Sequence, residues 1–178
     1  CTREQVRSYL GNGMRYLLAC AVPGGEEHPA YQKAYEDFRS YYQTHCKNRT
    51  NPYPGIRILL EELRHRGIRM AIVSNKADPA VKDLNRQFFP EHISVAIGET
   101  ETIARKPAPD TVLEALAQLK VSPEKALYVG DSEVDLKTAE NAGMRCITVT
   151  WGFRDRAFLT EKGAKTLIDQ PLELLALL

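Results

Sequence analysis

Residues 127–135 read Leu-Tyr-Val-Gly-Asp-Ser-Glu-Val-Asp, and this stretch decides the fold of the chain. A short run of apolar, aromatic and β-branched residues predicts a buried strand, which ends at Gly130. After it, Ser132 is well placed as a helix N-cap, and apolar residues return at helical spacing as far as Gly143. Asp131 is therefore predicted to lie in a strand-to-helix turn.

Two carboxylates, Asp131 and Asp135, belong to this turn. In an open parallel sheet, ligands bind outside the carboxyl ends of the strands. Mg²⁺ takes one or two carboxylates there and fills its other positions with water or phosphate oxygens. The pair therefore predicts a magnesium site. A second interpretation stays open, because Ser132-x-x-Asp135 is also a capping box in which Asp135 only fixes the start of the helix.

Strand and helix patterns alternate from residue 51 onward. This alternation predicts an α/β fold, a Rossmann-like parallel sheet with helices on both faces. The predicted strands are 68–73, 93–97, 127–129, 146–149 and a weak one at 167–168. The predicted helices are 56–67, 78–89, 112–119, 132–143 and a terminal one from residue 171.

The first fifty residues have a different pattern, with three predicted helices between residues 2 and 46 and no strand. The third helix carries four aromatic residues on one face, Tyr31, Tyr35, Phe38 and Tyr42. We interpret this stripe as core packing rather than a nucleotide site. Residues 48–55, Asn-Arg-Thr-Asn-Pro-Tyr-Pro-Gly, have the chemistry of a stiff linker. We therefore predict two domains, a small helical cap domain over 1–50 and an α/β core over 51–178.

Composition excludes several classes of partner. The formal net charge is +1, with 24 basic and 23 acidic residues well mixed, so no footprint for nucleic acid or an anionic membrane is present. No apolar run reaches the length of a membrane span, and no segment resembles a signal peptide. The four cysteines are far apart and form no zinc or redox motif. We expect a cytoplasmic protein with a small-molecule ligand, and the oligomeric state is left open.

Polar residues follow three of the predicted strands: Ser74 with Asn75, Lys106 in a loop, and Asp131 with Asp135. Phosphoryl transfer consists largely of holding and neutralising the phosphoryl oxygens. A hydroxyl, a backbone amide, an ammonium and a metal-binding carboxylate do this. Taken singly, Ser74 is also explained as an N-cap and Lys106 as a solvated loop cation. Together, at corresponding ends of one sheet, they predict a phosphate site.

These residues also carry a family resemblance. In order and spacing they resemble the second, third and fourth motifs of the haloacid dehalogenase superfamily. The matching segments are Ile72-Val73-Ser74-Asn75, Lys106-Pro107, and Val129-Gly130-Asp131-Ser132 with Asp135.

The resemblance extends over nearly the whole chain. The helical segment ahead of residues 52–55, Pro-Tyr-Pro-Gly, is similar to the helical cap of that family. Residues 11–18, Gly-Asn-Gly-Met-Arg-Tyr-Leu-Leu, and residues 149–152, Val-Thr-Trp-Gly, are similar to phosphoglycolate phosphatase-like members. The combined motifs are specific to the superfamily but not to one substrate.

The resemblance implies a Mg²⁺-dependent phosphatase that hydrolyses a small phosphomonoester through an aspartyl-phosphate. It implies that Ser74 binds the phosphate, helped by the backbone of Asn75, and that Lys106 neutralises the phosphate and the nucleophile. Asp131 would ligate Mg²⁺, and Asp135 would complete the metal site by orienting its waters or Lys106.

The first motif of the family, an Asp-x-Asp-Gly signature that supplies the nucleophile, has no match in residues 1–51. In the family its strand lies at the centre of the sheet, between the strands that here end at Val73 and Val129. The chain begins with Cys1 rather than methionine, which we interpret as the mark of a fragment or a processed product. We expect the nucleophile upstream of Cys1 and expect residues 1–178 alone to be inactive.

Arg15 is the cationic candidate for a carboxylate on the substrate, because it follows the flexible turn Gly11-Asn12-Gly13 in the cap. A small anionic ester such as 2-phosphoglycolate is therefore the expected substrate. The alternative, that Arg15 is a solvated helix cation, stays open.

Two other functions compete with the phosphatase. The first is a catalytically inactive relative that binds a phosphorylated metabolite or a partner. The second is a receiver-type signalling domain, which also places aspartate, hydroxyl and lysine on a parallel sheet. Receiver domains carry an acidic pair on the first strand and have no helical cap, and the order serine, lysine, aspartate argues against one.

Overall fold

The computed structural model describes all 178 residues of the chain. Its amino-terminal part contains helices and no strand: α1 (Arg3–Ser8), α2 (Gly13–Ala21), a 3₁₀ turn (Gly25–Glu27) and α3 (Tyr31–His45). α1 starts at a capping box, in which the Thr2 hydroxyl accepts from the Gln5 amide and the Gln5 side chain accepts from the Thr2 amide. The predicted domain boundary at residue 50 stays a prediction.

Helices and parallel strands alternate in the rest of the chain, which confirms the predicted α/β class. The elements are α4 (Ile56–His65), β1 (Ala71–Ala77), α5 (Asp78–Phe88), β2 (Val95–Glu99), α6 (Asp110–Leu119), β3 (Leu127–Gly130), α7 (Glu133–Asn141), β4 (Arg145–Val149), α8 (Arg156–Glu161) and β5 (Leu167–Ile168), with 3₁₀ segments at Pro123–Lys125 and Pro171–Ala176. None of the helices has both the length and the apolar character needed to cross a membrane.

Several elements differ from the sequence prediction. β1 starts and ends later than expected because its pairing with β2 begins at Ala71 and, after an irregular stretch, resumes at Ala77. Ser74 and Asn75, which the sequence predicted to follow the strand, therefore lie within it. The terminal segment from Pro171 is a 3₁₀ helix rather than an α-helix. α8 was not predicted, and its start is fixed by Asp155, whose carboxylate accepts from the Phe158 amide.

The strands form two separate parallel sheets. β1 pairs with β2, and the second sheet has the order β3-β4-β5. β1 and β3 do not pair with each other, so each has one edge without a neighbour. Val129 of β3 is 43% exposed, which is unusual for a β-branched residue in a parallel strand. The gap lies where the family resemblance implies the absent central strand.

Helix α6 holds the two sheets side by side across this gap. Leu116 belongs to one buried cluster with Tyr128 of β3, and Ala115 belongs to another with Ile97 of β2. Val73 of β1 packs against both clusters. Adjacent residues on a single helix therefore contact both sheets.

The opposite face of the three-stranded sheet is covered by α4. Leu59 and Leu63 lie in one buried cluster with Ile147, Ile168 and Leu174. Full burial of such a side chain contributes about 1.5 to 3 kcal/mol to folding. Helices therefore lie on both faces of this sheet, as the sequence predicted.

When residues 1–178 are expressed alone, we expect the unpaired edges of β1 and β3 to be detectable by hydrogen exchange. A buried amide or carbonyl without a partner costs about 1 to 3 kcal/mol, so the edges of β1 and β3 should open readily. Their amides should exchange with solvent faster than those of β4, which has a neighbour on each side. The chain should also bind a hydrophobic dye.

Hydrogen exchange resolved to single residues makes this comparison within one sample, with β4 as the internal control. Equal protection of the three strands, with cooperative unfolding of a monomer and no dye binding, would show that the gap is closed in solution.

Candidate active site

A cavity of about 320 Å³ lies between the carboxyl ends of the strands and the amino-terminal helices α1 to α3, which we call the helical segment. Five of the residues that the sequence predicted for the site line it, namely Ser74, Asn75, Lys106, Asp131 and Asp135. These residues come from three separate places in the chain, and only the fold brings them together.

Lys106 and Asp135 form a buried ion pair at the floor of the cavity. The Lys106 Nζ lies 2.8 Å from Asp135 Oδ1, and the two side chains are 11% and 8% exposed. Nζ also donates to the Tyr128 hydroxyl, at 3.2 Å, and to the Val73 carbonyl, at 3.4 Å. The ammonium therefore contacts both β1 and β3 across the gap between the sheets.

Each oxygen of the Asp135 carboxylate accepts two hydrogen bonds from donors of the protein. Besides Lys106, its carboxylate accepts from the Tyr128 hydroxyl at 2.9 Å, the Ser132 hydroxyl at 2.7 Å and the Asp131 amide at 3.1 Å. Burial opposes ionisation of this carboxyl, but Lys106 and the hydrogen bonds outweigh burial and lower its pKa. Asp135 is thus an anion at neutral pH, and it positions Lys106.

The capping-box interpretation of the turn is half correct. The Ser132 side chain does cap α7, since it accepts from the Asp135 amide. The Asp135 carboxylate, however, bonds to the Asp131 amide and turns toward Lys106. Asp135 therefore does more than fix the start of the helix.

Asp131 presents a carboxylate to the cavity with only one of its oxygens engaged by a protein donor. Oδ2 accepts from the Phe153 amide at 2.7 Å, and Oδ1 has no donor. Burial, with the Asp135 charge as a further contribution, raises the pKa of Asp131. A cation bound here would favour the ionised form.

Two glycines make room for the two carboxylates. A Cβ at Gly130 would overlap the Asp135 side chain, and a Cβ at Gly152 would overlap the Asp131 side chain. Both glycines are needed for close approach rather than for an unusual backbone conformation.

Asn75 has a role that the sequence did not reveal. Its side chain accepts from the Lys106 amide at 2.8 Å and donates to the carbonyls of Lys106 and Gly11, each at 2.9 Å. The residue is 6% exposed. It therefore ties β1, the Lys106 loop and the helical segment together, while the neighbouring Ser74 lines the cavity.

Reciprocal arginines fasten the helical segment to the core. The buried Arg154 donates to the carbonyls of Arg7, Ser8 and Leu10 and pairs with Glu133 at 2.9 Å. In return, Arg7 donates to the carbonyls of Phe153 and Gly152, at 2.7 and 3.1 Å. No periodic pattern in the sequence pointed to this contact.

The aromatic stripe of α3 divides between two environments. Tyr31 is buried, as the core-packing interpretation predicted, and its hydroxyl donates to the Arg15 carbonyl. Phe38 and Tyr42, however, line the cavity, so that interpretation was wrong for them. Helical periodicity shows that these residues share one face, but it does not show whether that face packs in the core or lines a cavity.

Arg15 lies outside the cavity. Its side chain is exposed, and its guanidinium lies 4.4 Å from the centroid of the Tyr35 ring. This is the position of a solvated helix cation stacked on an aromatic face. The role of Arg15 toward a substrate stays a prediction.

Comparison with known proteins gives a consistent result. The family described as haloacid dehalogenase-like hydrolase matches residues 1–149. A phosphoglycolate phosphatase from Rhodobacter capsulatus is 37% identical over 85% of this chain and 69% of its own length. Phosphoglycolate phosphatase 1 from Pseudomonas aeruginosa is 30% identical over 97% of this chain and 65% of its own length. The chain thus spans about two thirds of the length of these relatives.

A solved structure has the same fold. The crystal structure of a protein described as a phosphoglycolate phosphatase, from Lactobacillus delbrueckii subsp. bulgaricus, superposes with a TM-score of 0.90 at 34% identity. The match covers 98% of this chain and 82% of that chain.

The position of Asn75 leads to a prediction for stability. Asn75→Ala removes the partners of one buried amide and two carbonyls, so the natural full-length protein should lose about 1 to 3 kcal/mol of unfolding free energy. Urea denaturation measures this loss. Gln32→Ala, which removes an exposed bond within α3, is the control and should change stability by less than about 0.5 kcal/mol. Equal, small effects would show that Asn75 does not hold the site together.

Proposed function

This chain belongs to the haloacid dehalogenase-like hydrolases, and from that premise we propose that it supplies most of the active site of a Mg²⁺-dependent phosphatase. The proposed reaction is hydrolysis of a small phosphomonoester similar to phosphoglycolate, through an aspartyl-phosphate. The phosphatase relatives support the reaction class, phosphoric monoester hydrolysis. One observation carries the proposal: a hydroxyl, an ammonium and a free carboxylate oxygen converge on one cavity.

Each of these groups has a role in handling phosphate. The Ser74 hydroxyl and the adjacent backbone amide are placed to hold phosphoryl oxygens at the end of β1. The Lys106 ammonium keeps its position through Asp135 and neutralises charge that develops on the phosphoryl group during transfer. Because the ion pair is buried, the ammonium acts in a poorly hydrated site, where its effect is larger than in water.

The donor set fits Mg²⁺. The chain has no cluster of three or more metal-ligating side chains, and Mg²⁺ does not need one, since it binds through one or two carboxylates and keeps water or phosphate oxygens. Asp131 would hold the ion through its free oxygen. Asp135 has no free oxygen, so its role is to orient Lys106 rather than to ligate. When bound, the ion supplies charge neutralisation at the phosphate oxygens.

The nucleophile of the proposed reaction is an aspartate outside residues 1–178. The unpaired edges of β1 and β3 support this assignment, because an additional central strand would fill the gap and end beside the cavity. In such a position its carboxylate would face Ser74, Lys106 and Asp131. Turnover by the natural full-length protein would separate this proposal from the inactive relative.

The first prediction from this site concerns the metal. In the natural full-length protein, Asp131→Asn should raise the Mg²⁺ concentration for half-maximal activity by about ten-fold or more and abolish most turnover. Asp135→Asn should change Mg²⁺ affinity less, because it disturbs Lys106 instead. Calorimetric titration with Mg²⁺ and assays across a Mg²⁺ series measure both effects. Mild and equal effects of the two substitutions would show that the turn caps the helix and does not bind the metal.

The second prediction concerns Lys106. Lys106→Ala should lower kcat by about 10² or more, which corresponds to ~2.7 kcal/mol of transition-state stabilisation. Steady-state kinetics on a small phosphomonoester test this, with Lys137→Ala on the exposed face of α7 as the control. A change confined to KM would instead make Lys106 a group that binds substrate and transition state equally.

A further inference from the structure

A second cation, Lys76, lines the cavity. It lies two residues beyond Ser74 on β1, and both side chains line the cavity. Its ammonium forms no ion pair with any carboxylate of the chain. Lys106, by contrast, forms an ion pair with Asp135. Lys76 therefore contributes an uncompensated positive charge.

Tyr42 of the helical segment meets Lys76 from the other side. The Lys76 ammonium donates to the Tyr42 hydroxyl and lies 4.5 Å from the centroid of the ring. The hydroxyl makes no other hydrogen bond, so its own proton is free for an acceptor. Both residues line the cavity, and apart from their contact with each other neither the ammonium nor the hydroxyl proton has an acceptor from the protein.

The neighbouring wall is apolar and limits the size of a ligand. Met14, Leu17 and Phe38 line it, and the cavity volume of about 320 Å³ is that of a small-metabolite site. An apolar wall strengthens the attraction of Lys76 for an anion, because the local dielectric constant is low. Ser74 and Lys76 are two residues apart on β1, a separation of about 6.6 Å along a regular strand, so a ligand that reaches from the Ser74 hydroxyl to Lys76 is short.

We propose that Lys76 and Tyr42 form a carboxylate subsite, which makes the enzyme selective for short phosphomonoesters with a carboxylate near the phosphate. This inference rests on the proposed phosphatase function and names the residues that select the carboxylate of its substrate. Lys76 and Tyr42 determine specificity and take no part in the chemistry. The pair assigns to Lys76 the role that the sequence predicted for Arg15.

The test compares 2-phosphoglycolate with ethyl phosphate, which has a methyl group in place of the carboxylate. In the natural full-length enzyme, Lys76→Met should lower kcat/KM for phosphoglycolate by about ten- to a hundred-fold, the effect of losing a charged hydrogen bond. Its effect on ethyl phosphate should stay within about two-fold. Tyr42→Phe should lower the ratio of the two kcat/KM values by about three- to ten-fold. Lys76→Arg should restore most of the ratio lost in Lys76→Met.

Two further variants serve as comparisons. Lys33→Met removes an exposed cation from the same helix as Tyr42 and should leave the ratio unchanged. Arg15→Met should also leave it unchanged if Lys76 is the selecting cation. A fall in the ratio with Arg15→Met, or equal losses on both substrates with Lys76→Met, would overturn the carboxylate subsite.

Binding measurements separate this inference from the phosphatase proposal. Calorimetry with phosphoglycolate and ethyl phosphate needs no turnover. If neither ester is hydrolysed but the binding preference for phosphoglycolate disappears in Lys76→Met, the subsite stands and the phosphatase proposal fails. If both esters are hydrolysed without any preference, the phosphatase proposal stands and the subsite is refuted.

Discussion

The Lys106 ammonium is the group on which the arrangement of the site depends. It reaches a carbonyl of β1, the hydroxyl of Tyr128 on β3 and the carboxylate of Asp135 on α7. A buried charge without partners would be very costly, so each of these contacts also fixes the element that provides it. The same ammonium is the group proposed to neutralise the phosphoryl oxygens. The same nitrogen atom therefore holds the elements of the site together and carries the charge that the proposed reaction needs.

The gap between the two sheets is the second feature that determines the structure of the site, because β1 and β3 must be held together without backbone pairing. Backbone hydrogen bonds do not join β1 to β3. Side chains join them instead, through apolar packing on α6 and through the contacts of the Lys106 ammonium with Val73 and Tyr128. These contacts hold β1 and β3 in one body although no backbone hydrogen bond joins them. The site is thus organised around a position that residues 1–178 do not fill.

The helical segment is part of the site rather than a separate cover. Arg154 and Arg7 bind carbonyls across the interface in both directions, and Asn75 holds the Gly11 carbonyl from the core side. Because Arg154 and Asn75 bind backbone carbonyls of the segment, those contacts depend little on its side chains, whereas the Arg7 contacts require the Arg7 guanidinium. Side chains such as Tyr42 are then free to vary the selectivity of the cavity while the phosphate-handling groups stay in place.

The sequence by itself determined the α/β class, the turn that carries Asp131 and the three polar strand ends, because local periodicity, turn residues and strand order are all encoded within short stretches. Only the tertiary structure decided that Asp135 is saturated by donors, that Asn75 joins three segments, and that Tyr42 and Lys76 meet while Arg15 lies outside. Each of these facts depends on partners from remote parts of the chain. Helical periodicity shows which residues share a face, but not which residues that face contacts. The same limit explains the late end of β1, whose polar residues stay extended because β2 lies beside them. Pairing and burial between distant segments set the function of individual residues, whereas the order of the segments along the chain was enough to set the fold.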